Sequence, residues 1–516
     1  MKLNLYYAPC PVQKFEEKLD YLSTQRSKNP KSALTTLASG IRLFSEQFRL
    51  DVDIEIIDLQ LGSEERFYKK FTYGPKELLC YGLGYPFEKF EAKYRETSIH
   101  GISSNFTNGA QLVADLAKYI KKVNPGSLVI VGGTDATFRP GFYLENGADM
   151  VIKGEGEYTF TRVLDAYVNK KDLAAIPNVC VKNGSYNDKI DKSALLDMNI
   201  LKPMALDLVY DLYEYGDTGE GMPPSYVEKP YVCFETSRGC YNNCSFCTTP
   251  AKGKYRYMTV DSVKKHFDYF KSKGIRTILF QEDNILSRIQ RNSKGDYIYP
   301  DGREDIIEIF KLAREYRFSW EFANGLEFGK LFYNNTYDYA LCEALLWNEK
   351  NSARHAGCYR VQIPIENLSD DADKKFPKLK SFSQQLEILK TIAQYGITYH
   401  NYNVIIGYPE DSAESLDNYI SKCFTIKNEL HKSCPDYNPY FNIFTLALLP
   451  GTADYKNFNS RLKFNIDRHP EVVSMYIPSM DTNSLSYYEV FLKRAAMNHE
   501  LNGRLIEKYD GNLIYI

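Results

Sequence analysis

No apolar run in the 516-residue sequence reaches the ~18–20 residues that a membrane-spanning helix requires, so no such span is expected. Neither sign of charge is in excess. There are 64 Lys and Arg against 66 Asp and Glu, and no like-charge block marks a nucleic-acid-binding tail. The stretch MKLNLYYAPCPVQKFEEK lacks a basic start followed by an apolar segment, and no secretory leader is expected from it. The G-x-G-x-x-G dinucleotide fingerprint is absent. The 11 cysteines are an odd number and mostly scattered singly, which argues against a disulfide framework and for reduced thiols in the cytoplasm.

What is present is an ordinary globular composition, 44% apolar and 25% charged, long enough for ~3 average domains or two larger ones. KLNLYY (2–7) and VDIEIIDL (52–59) alternate apolar and polar residues as half-buried strands do. SIHGIS (98–103), LVIVGG (128–133) and DMVIKG (149–154) are short apolar runs ending in turn residues. Between them, GAQLVADLAKYIKKV (109–123) sets Leu112, Val113, Leu116, Ala117 and Ile120 on one helical face. This pattern predicts an open parallel α/β sheet. Its ligands would sit at strand carboxyl ends: Ser103-Ser104-Asn105, Gly132-Gly133-Thr134-Asp135 and the turn that begins at Gly154.

A Pro-, Gly- and Tyr-rich stretch near 200–229 reads as a linker. Beyond it, strands are predicted at 231–237, 276–281, 318–323, 358–365, 399–407 and 440–448. Helical patterns at 260–273, 303–316, 338–348, 382–395 and 413–429 fill the gaps, and the alternation suggests a partial barrel with its chemistry on the loops after the strands. An amphipathic helix is expected near 486–508.

ETSRGCYNNCSFCTTP (235–250), directly after the first barrel strand, carries Cys240, Cys244 and Cys247. A structural zinc site takes four protein ligands, and the nearest additions, Cys233 and His266, lack finger spacing. An iron–sulfur cluster held by three thiolates instead leaves one iron open to a substrate or cofactor. Unrelated thiols are the alternative.

The C-x3-C-x2-C spacing, with Phe246 before the last cysteine and Thr236-Ser237-Arg238-Gly239 before the first, resembles the radical S-adenosylmethionine (SAM) superfamily. The resemblance implies a [4Fe-4S] cluster on the three cysteines, whose open iron chelates SAM, and cleavage of SAM to a 5′-deoxyadenosyl radical. Gln281-Glu282-Asp283-Asn284 replaces the family's glycine-glycine-glutamate stretch, so either Glu282 or Asp283 would hold the SAM amino group; an acidic cap is the other reading. Glu366 in IPIEN matches the ribose-binding position. Ile405, Gly407 and Asp411 in NVIIGYPED match the adenine-supporting strand, although Asn403 replaces its opening glycine. LLPGT (448–452) resembles the turn after the sixth strand.

Upstream, VIVGGTDATFRP and GADMVIKGEGEYTF resemble the cobalamin-binding domain that precedes the barrel in one branch of this superfamily. The resemblance continues in IPNVCVKNG (176–184), the segment that bridges to the barrel. It implies backbone contacts to cobalamin from Gly132, Gly133, Thr134 and Gly154, with Ser103, Ser104 and Asn105 bonding its tail. The Asp-x-His-x-x-Gly motif that supplies a histidine ligand is missing, and Asp135 stands where the family frequently has histidine.

The implied architecture is α/β: an N-terminal Rossmann-like, cobalamin-binding-type domain (1–170), a linker (171–229), a partial (β/α)6 radical SAM barrel (230–455) and a small helical C-terminal tail (456–516). The implied activity is methylation of an unactivated carbon or phosphorus centre in a natural-product or peptide substrate, one SAM supplying the radical and another the methyl group through cobalamin. A flavodoxin- or ferredoxin-type protein would deliver the electron. The rival is non-methylating radical chemistry (epimerisation, rearrangement or carbon-group transfer), with cobalamin in another role or its domain vestigial; an epimerase would need a hydrogen donor such as Cys358 or Cys342, for which core thiols are the plainer reading. Transfer-RNA methylthiolation fits less well, since no second cysteine trio and no basic tail are present.

Overall fold

The computed structural model describes residues 1–16, 22, 32–182, 184, 190–192, 195–209, 211–215, 227–334, 336–350, 355–376, 378–397, 399–435, 437, 439–503, 507–509 and 512–514. Most of the predicted linker core, 216–226, lies outside them.

The N-terminal sheet has six strands, in the order Asp53–Asp58, Lys2–Tyr7, Ile99–Ser103, Leu128–Gly132, Met150–Ile152 and Val179–Val181. All neighbours pair in parallel except the last, where Val179–Val181 runs back against Met150–Ile152. Part of the predicted linker is therefore the edge of this sheet. Val129 and Val131 pack on one face against Leu112, Leu116 and Ile120 of the helix Ala110–Val123. Ile130 packs on the other against the helices Ser32–Phe48 and Glu157–Val168. A strand covered on both faces needs a continuous apolar run, which is what LVIVG supplies.

The second sheet follows chain order: Tyr231–Phe234, Thr277–Phe280, Ser319–Phe322, His355–Glu366, Tyr399–Ile406 and Tyr440–Thr445, all parallel, with Asn348–Lys350 added antiparallel beside the fourth strand. The helices between them cover the outer face. Val361, Ile363 and Ile365 share a core with Ile388, Leu389 and Ile392 of the helix Phe382–Ala393. Several of these helices start at side-chain caps, such as Thr259 on Ser262 N–H and the reciprocal Ser412–Ser415 box.

Two features go beyond the predicted pattern. Cys10–Phe15, Glu64–Tyr73 and Lys76–Gly84 form a separate antiparallel sheet. Its inner face, with Phe15, Phe71, Tyr73 and Leu78, is covered by Val472, Val473, Ile477 and Phe491 of the tail. The tail is also more than a helical appendage, because its helix Tyr487–Asn502 sends Val490, Met497 and Leu501 into the barrel core.

Candidate active site

After the first barrel strand, Ser237-Arg238 pairs antiparallel with Arg256-Tyr257 and pinches off the loop that carries the three cysteines. Gly239 enters this loop at φ 90°, and a Cβ there would lie 2.8 Å from the Lys254 carbonyl oxygen, so the position requires glycine. Cys240, Cys244 and Cys247 are half-buried free thiols. Asn242 N–H donates to Cys240 Sγ at 3.3 Å, Thr249 N–H to Cys247 Sγ at 3.4 Å, and Asn284 Nδ2 to Cys240 Sγ at 3.5 Å. Such donors stabilise sulfur-centred charge. Burial pushes the Cys244 thiol up to about 12, opposed by the nearby Lys378 ammonium. Among the described residues, no three Cys, His, Asp or Glu side chains converge where one metal ion could sit. An iron–sulfur cubane makes a different demand, since each thiolate binds its own iron, and three thiols on one loop, two of them already accepting N–H hydrogen bonds, fit it.

Both acids after the second strand turn toward this loop. Glu282, 4% exposed, accepts from Thr236 N–H at 2.8 Å and Thr236 Oγ1 at 2.7 Å, and burial raises its carboxyl to about 7. Asp283 accepts from Gly239 N–H and Thr249 Oγ1, each at 2.8 Å, lacing the two ends of the cysteine loop together. Desolvation works against its charge, yet Lys252 and these donors hold Asp283 below the usual carboxylate range.

Glu366 ends the fourth strand at φ 62° and is ion-paired with Lys378. Lys378 Nζ stands 5.8 Å from the centre of the Phe246 ring, and Phe246 packs with Ile405, Tyr408 and Phe376 in one apolar cluster. Residues from the first, fourth and fifth strand ends thus meet at one place. Gly407, at φ 87°, and Tyr408 donate their N–H groups to Asp411 Oδ2 at 2.7 and 3.0 Å. Burial still raises Asp411 to about 6, and its role here is to close the turn.

Below this cluster the inward faces of the fourth, fifth and sixth strands carry carboxamides. Strand alternation turns Val361, Ile363, Tyr402, Val404, Phe441 and Ile443 to the helices, which leaves Gln362, Asn403 and Asn442 facing inward. They form a carboxamide ladder, with Asn442 Nδ2 donating to Asn403 Oδ1 at 2.8 Å and Asn403 Nδ2 to Gln362 Oε1 at 3.3 Å. Deeper, the buried Glu321 is ion-paired with Arg360 at 3.2 Å.

The N-terminal sheet contributes its carboxyl edge. Ser103, Gly132 and Ile152 are cross-strand neighbours, which brings Ser103–Asn105, Gly132–Thr134 and Gly154 together. Gly133 adopts φ 110°, and a Cβ there would lie 2.5 Å from the Ser104 carbonyl oxygen. At Gly132 a Cβ would meet only the Ile152 oxygen, at 3.7 Å. Thr134 N–H donates to Asn105 Oδ1 at 3.2 Å and Gly154 N–H to Thr137 Oγ1 at 2.9 Å. A low glycine floor of this kind fits a flat macrocycle lying on backbone.

This edge is fastened to the barrel at two places. Arg238 pairs with Glu157 at 2.8 Å and Glu155 at 3.5 Å, and Arg256 Nη1 with Glu155 Oε2 at 3.0 Å. At the sixth strand end, Phe138 packs so tightly on Gly451 that a Cβ there would fall 2.4 Å from its ring. Ser245 of the cysteine loop also bonds Asp454, with Asp454 N–H donating to Ser245 O at 2.9 Å.

Three sequence expectations are corrected. Ser104 is 3% exposed and shares a 2.6 Å hydrogen bond with Tyr143, so its hydroxyl is turned into the domain and away from any tail contact. Cys358, 0% exposed, lies cross-strand from Trp320 on the helix-facing side of the sheet, and Cys342, 1% exposed, is in the same apolar core. Burial raises both thiols, and neither reaches the lumen as a hydrogen donor. Asp135 receives a structural explanation: it is buried under Arg139 (2.8 and 3.1 Å), Thr107 (2.5 Å) and Tyr143, and offers no free oxygen to a cofactor. Sequence reading missed Lys378 and Arg256, which carry no motif, and gave Arg238 no partner beyond its place in the stretch before Cys240.

Comparison with known proteins agrees with this geometry. Residues 234–422 match the radical SAM superfamily and residues 79–164 the B12 binding domain. An uncharacterized methyltransferase of Pyrococcus horikoshii is 25% identical over 315 residues, covering 58% of this chain and 59% of that protein. The hopanoid C-3 methylase of Methylococcus capsulatus is 24% identical over 298 residues, covering 54% of this chain and 50% of that one. The chain thus spans only between half and three-fifths of the length of these curated relatives. The solved structure of the radical SAM methyltransferase TsrM from Kitasatospora setae, with cobalamin and a [4Fe-4S] cluster bound, superposes over 97% of this chain and 88% of its own, with TM-score 0.59 and 12% identity, a likeness of fold. The chain thus carries a radical SAM domain over residues 234–422, with a B12-binding domain ahead of it over residues 79–164.

Proposed function

We propose that this protein is a cobalamin-dependent radical SAM methyltransferase. The observation that carries the reading is the facing of two loop sets: the glycine edge of the N-terminal sheet is fastened over the same barrel end that presents the three cysteines. When bound, cluster and SAM would supply a 5′-deoxyadenosyl radical and cobalamin a methyl group. The chain's own part is positional. Cys240, Cys244 and Cys247 would hold the cluster; Phe246 and Ile405 offer an apolar seat for an adenine, and Glu366, tethered by Lys378, a carboxylate for a ribose. Asp283, with its side chain 26% exposed, is the acid we assign to the amino group of SAM. Gly132, Gly133, Thr134, Asn105 and Gly154 would support the corrin.

The carboxamide ladder of Gln362, Asn403 and Asn442 favours a substrate that presents amide or hydroxyl groups to the lumen over an all-hydrocarbon one. A small natural product or a peptide side chain has this chemistry. A low-potential flavodoxin or ferredoxin is the proposed electron donor. No helix of the described residues is long and apolar enough to cross a membrane.

Anaerobic reconstitution with iron, sulfide and cobalamin, followed by mass spectrometry, tests the reading. Formation of both 5′-deoxyadenosine and S-adenosylhomocysteine is expected, and Cys240→Ala should abolish the deoxyadenosine. Deoxyadenosine without S-adenosylhomocysteine would move the protein to non-methylating chemistry.

A further inference from the structure

The turn Gly154-Glu155-Gly156-Glu157 takes part in both halves of the site. Its first residue stands on the glycine edge of the N-terminal sheet, and its two carboxylates grip the root of the cysteine loop. Arg238 lies two residues before Cys240 and, with its side chain 13% exposed, touches three carboxylates: Glu235 at 2.7 Å, Glu157 at 2.8 Å and Glu155 at 3.5 Å. Arg256, its cross-strand partner, donates Nη1 to Glu155 Oε2 at 3.0 Å and to the Leu196 carbonyl at 2.7 Å. Two guanidinium groups facing each other across a ribbon repel, and the acids of the other domain are what let them stand together. Glu157 is seated for this purpose. A helix-opening glutamate ordinarily faces solvent beside the helix dipole, but here its side chain is 6% exposed and the neighbouring helix carries Gly40 where a Cβ would fall 2.5 Å from the Glu157 Cβ.

A buried ionic network gives little stability compared with apolar packing of the same volume, while its directional bonds fix geometry. We propose that Glu155 and Glu157 are positioning residues that set the separation and orientation of the cysteine loop relative to the glycine edge, and so of the two cofactors relative to each other. The inference rests on the two-cofactor reading above. A shift of the turn moves the floor of one site and the ligand loop of the other together, whereas loss of the carboxylates lets them move apart.

The test compares the full chain with Glu155→Gln/Glu157→Gln and with Glu157→Asp. Pulsed electron paramagnetic resonance on protein loaded with iron, sulfide and cobalamin reads the distance between the reduced cluster and cob(II)alamin. One narrow distance is expected in the parent and in Glu157→Asp, and a broadened or displaced one in the double variant at equal cofactor content. An unchanged distance in the double variant overturns the proposal. Hydrogen exchange of the cofactor-free proteins provides a second readout: the substitutions at 155 and 157 should speed exchange across 237–257 by about tenfold, and unchanged exchange there counts against the clamp. If the parent binds neither cofactor, the methyltransferase reading fails by itself, and the exchange experiment still decides the clamp.

Discussion

Lys378 forms an ion pair with Glu366, and the same ammonium faces Cys244 and the ring of Phe246. The lysine comes from the loop after the fourth strand, so one side chain ties the proposed ribose carboxylate to the proposed cluster loop. Truncating it strands a carboxylate that is 6% exposed. Lys378→Met should therefore cost about 3 kcal/mol in urea denaturation, and Lys378→Met/Glu366→Gln should recover most of that. A single variant as stable as the parent would show that the pair is not coupled.

Glu282 gives a pH dependence. Its carboxyl is about 7 folded against an ordinary value of 4.5, so between those values the folded state holds the extra proton. The sign follows: its contribution to stability is fully present below 4.5 and is lost as pH rises through 7, by up to about 3 kcal/mol. Glu282→Gln keeps an acceptor for Thr236 and cannot titrate. Denaturation at pH 5 and pH 8 should show the parent losing stability relative to the variant at the higher pH, and parallel curves would exclude the mechanism.

Gly133→Ala combines a left-handed backbone with a 2.5 Å clash against the Ser104 carbonyl. A cost of about 2–4 kcal/mol is expected, together with loss of cobalamin retained on gel filtration. Gly132→Ala meets only ordinary contact, at 3.7 Å, and should keep its stability while losing affinity. Equal cobalamin retention by both variants and the parent would remove the glycine floor from the site.

Cys358→Ala should lower stability by about 1–2 kcal/mol through a small core cavity while leaving reductive cleavage of SAM unchanged. Loss of deoxyadenosine formation in a folded, cluster-loaded variant would return this thiol to the chemistry.

Much of this fold was legible in the sequence, because the barrel strands carry alternating apolar residues and are closed by turns, and several barrel helices begin at a side-chain cap. The cysteine loop was legible for a different reason, since its chemistry needs fixed residues at fixed spacing. What escaped were features built by tertiary contact. The antiparallel sheet of residues 10–15, 64–73 and 76–84 owes its inner face to the tail, so EERFYKKFTY showed no partner. Lys378 and Arg256 are ordinary basic residues until folding brings them to Glu366 and Glu155. Ser104 misled because a serine at a strand end reads as a ligand contact, whereas Tyr143 claims its hydroxyl.

Phe15 meets Phe491 edge-on at 5.7 Å, in a cluster that also holds Tyr73 and Val472. A ribosome makes the first of these rings hundreds of residues before the last, so that cluster stays open to water until synthesis is nearly over. Expressing the first 170 residues alone should yield a sticky fragment, and coexpression with the missing tail segment is the remedy this packing suggests.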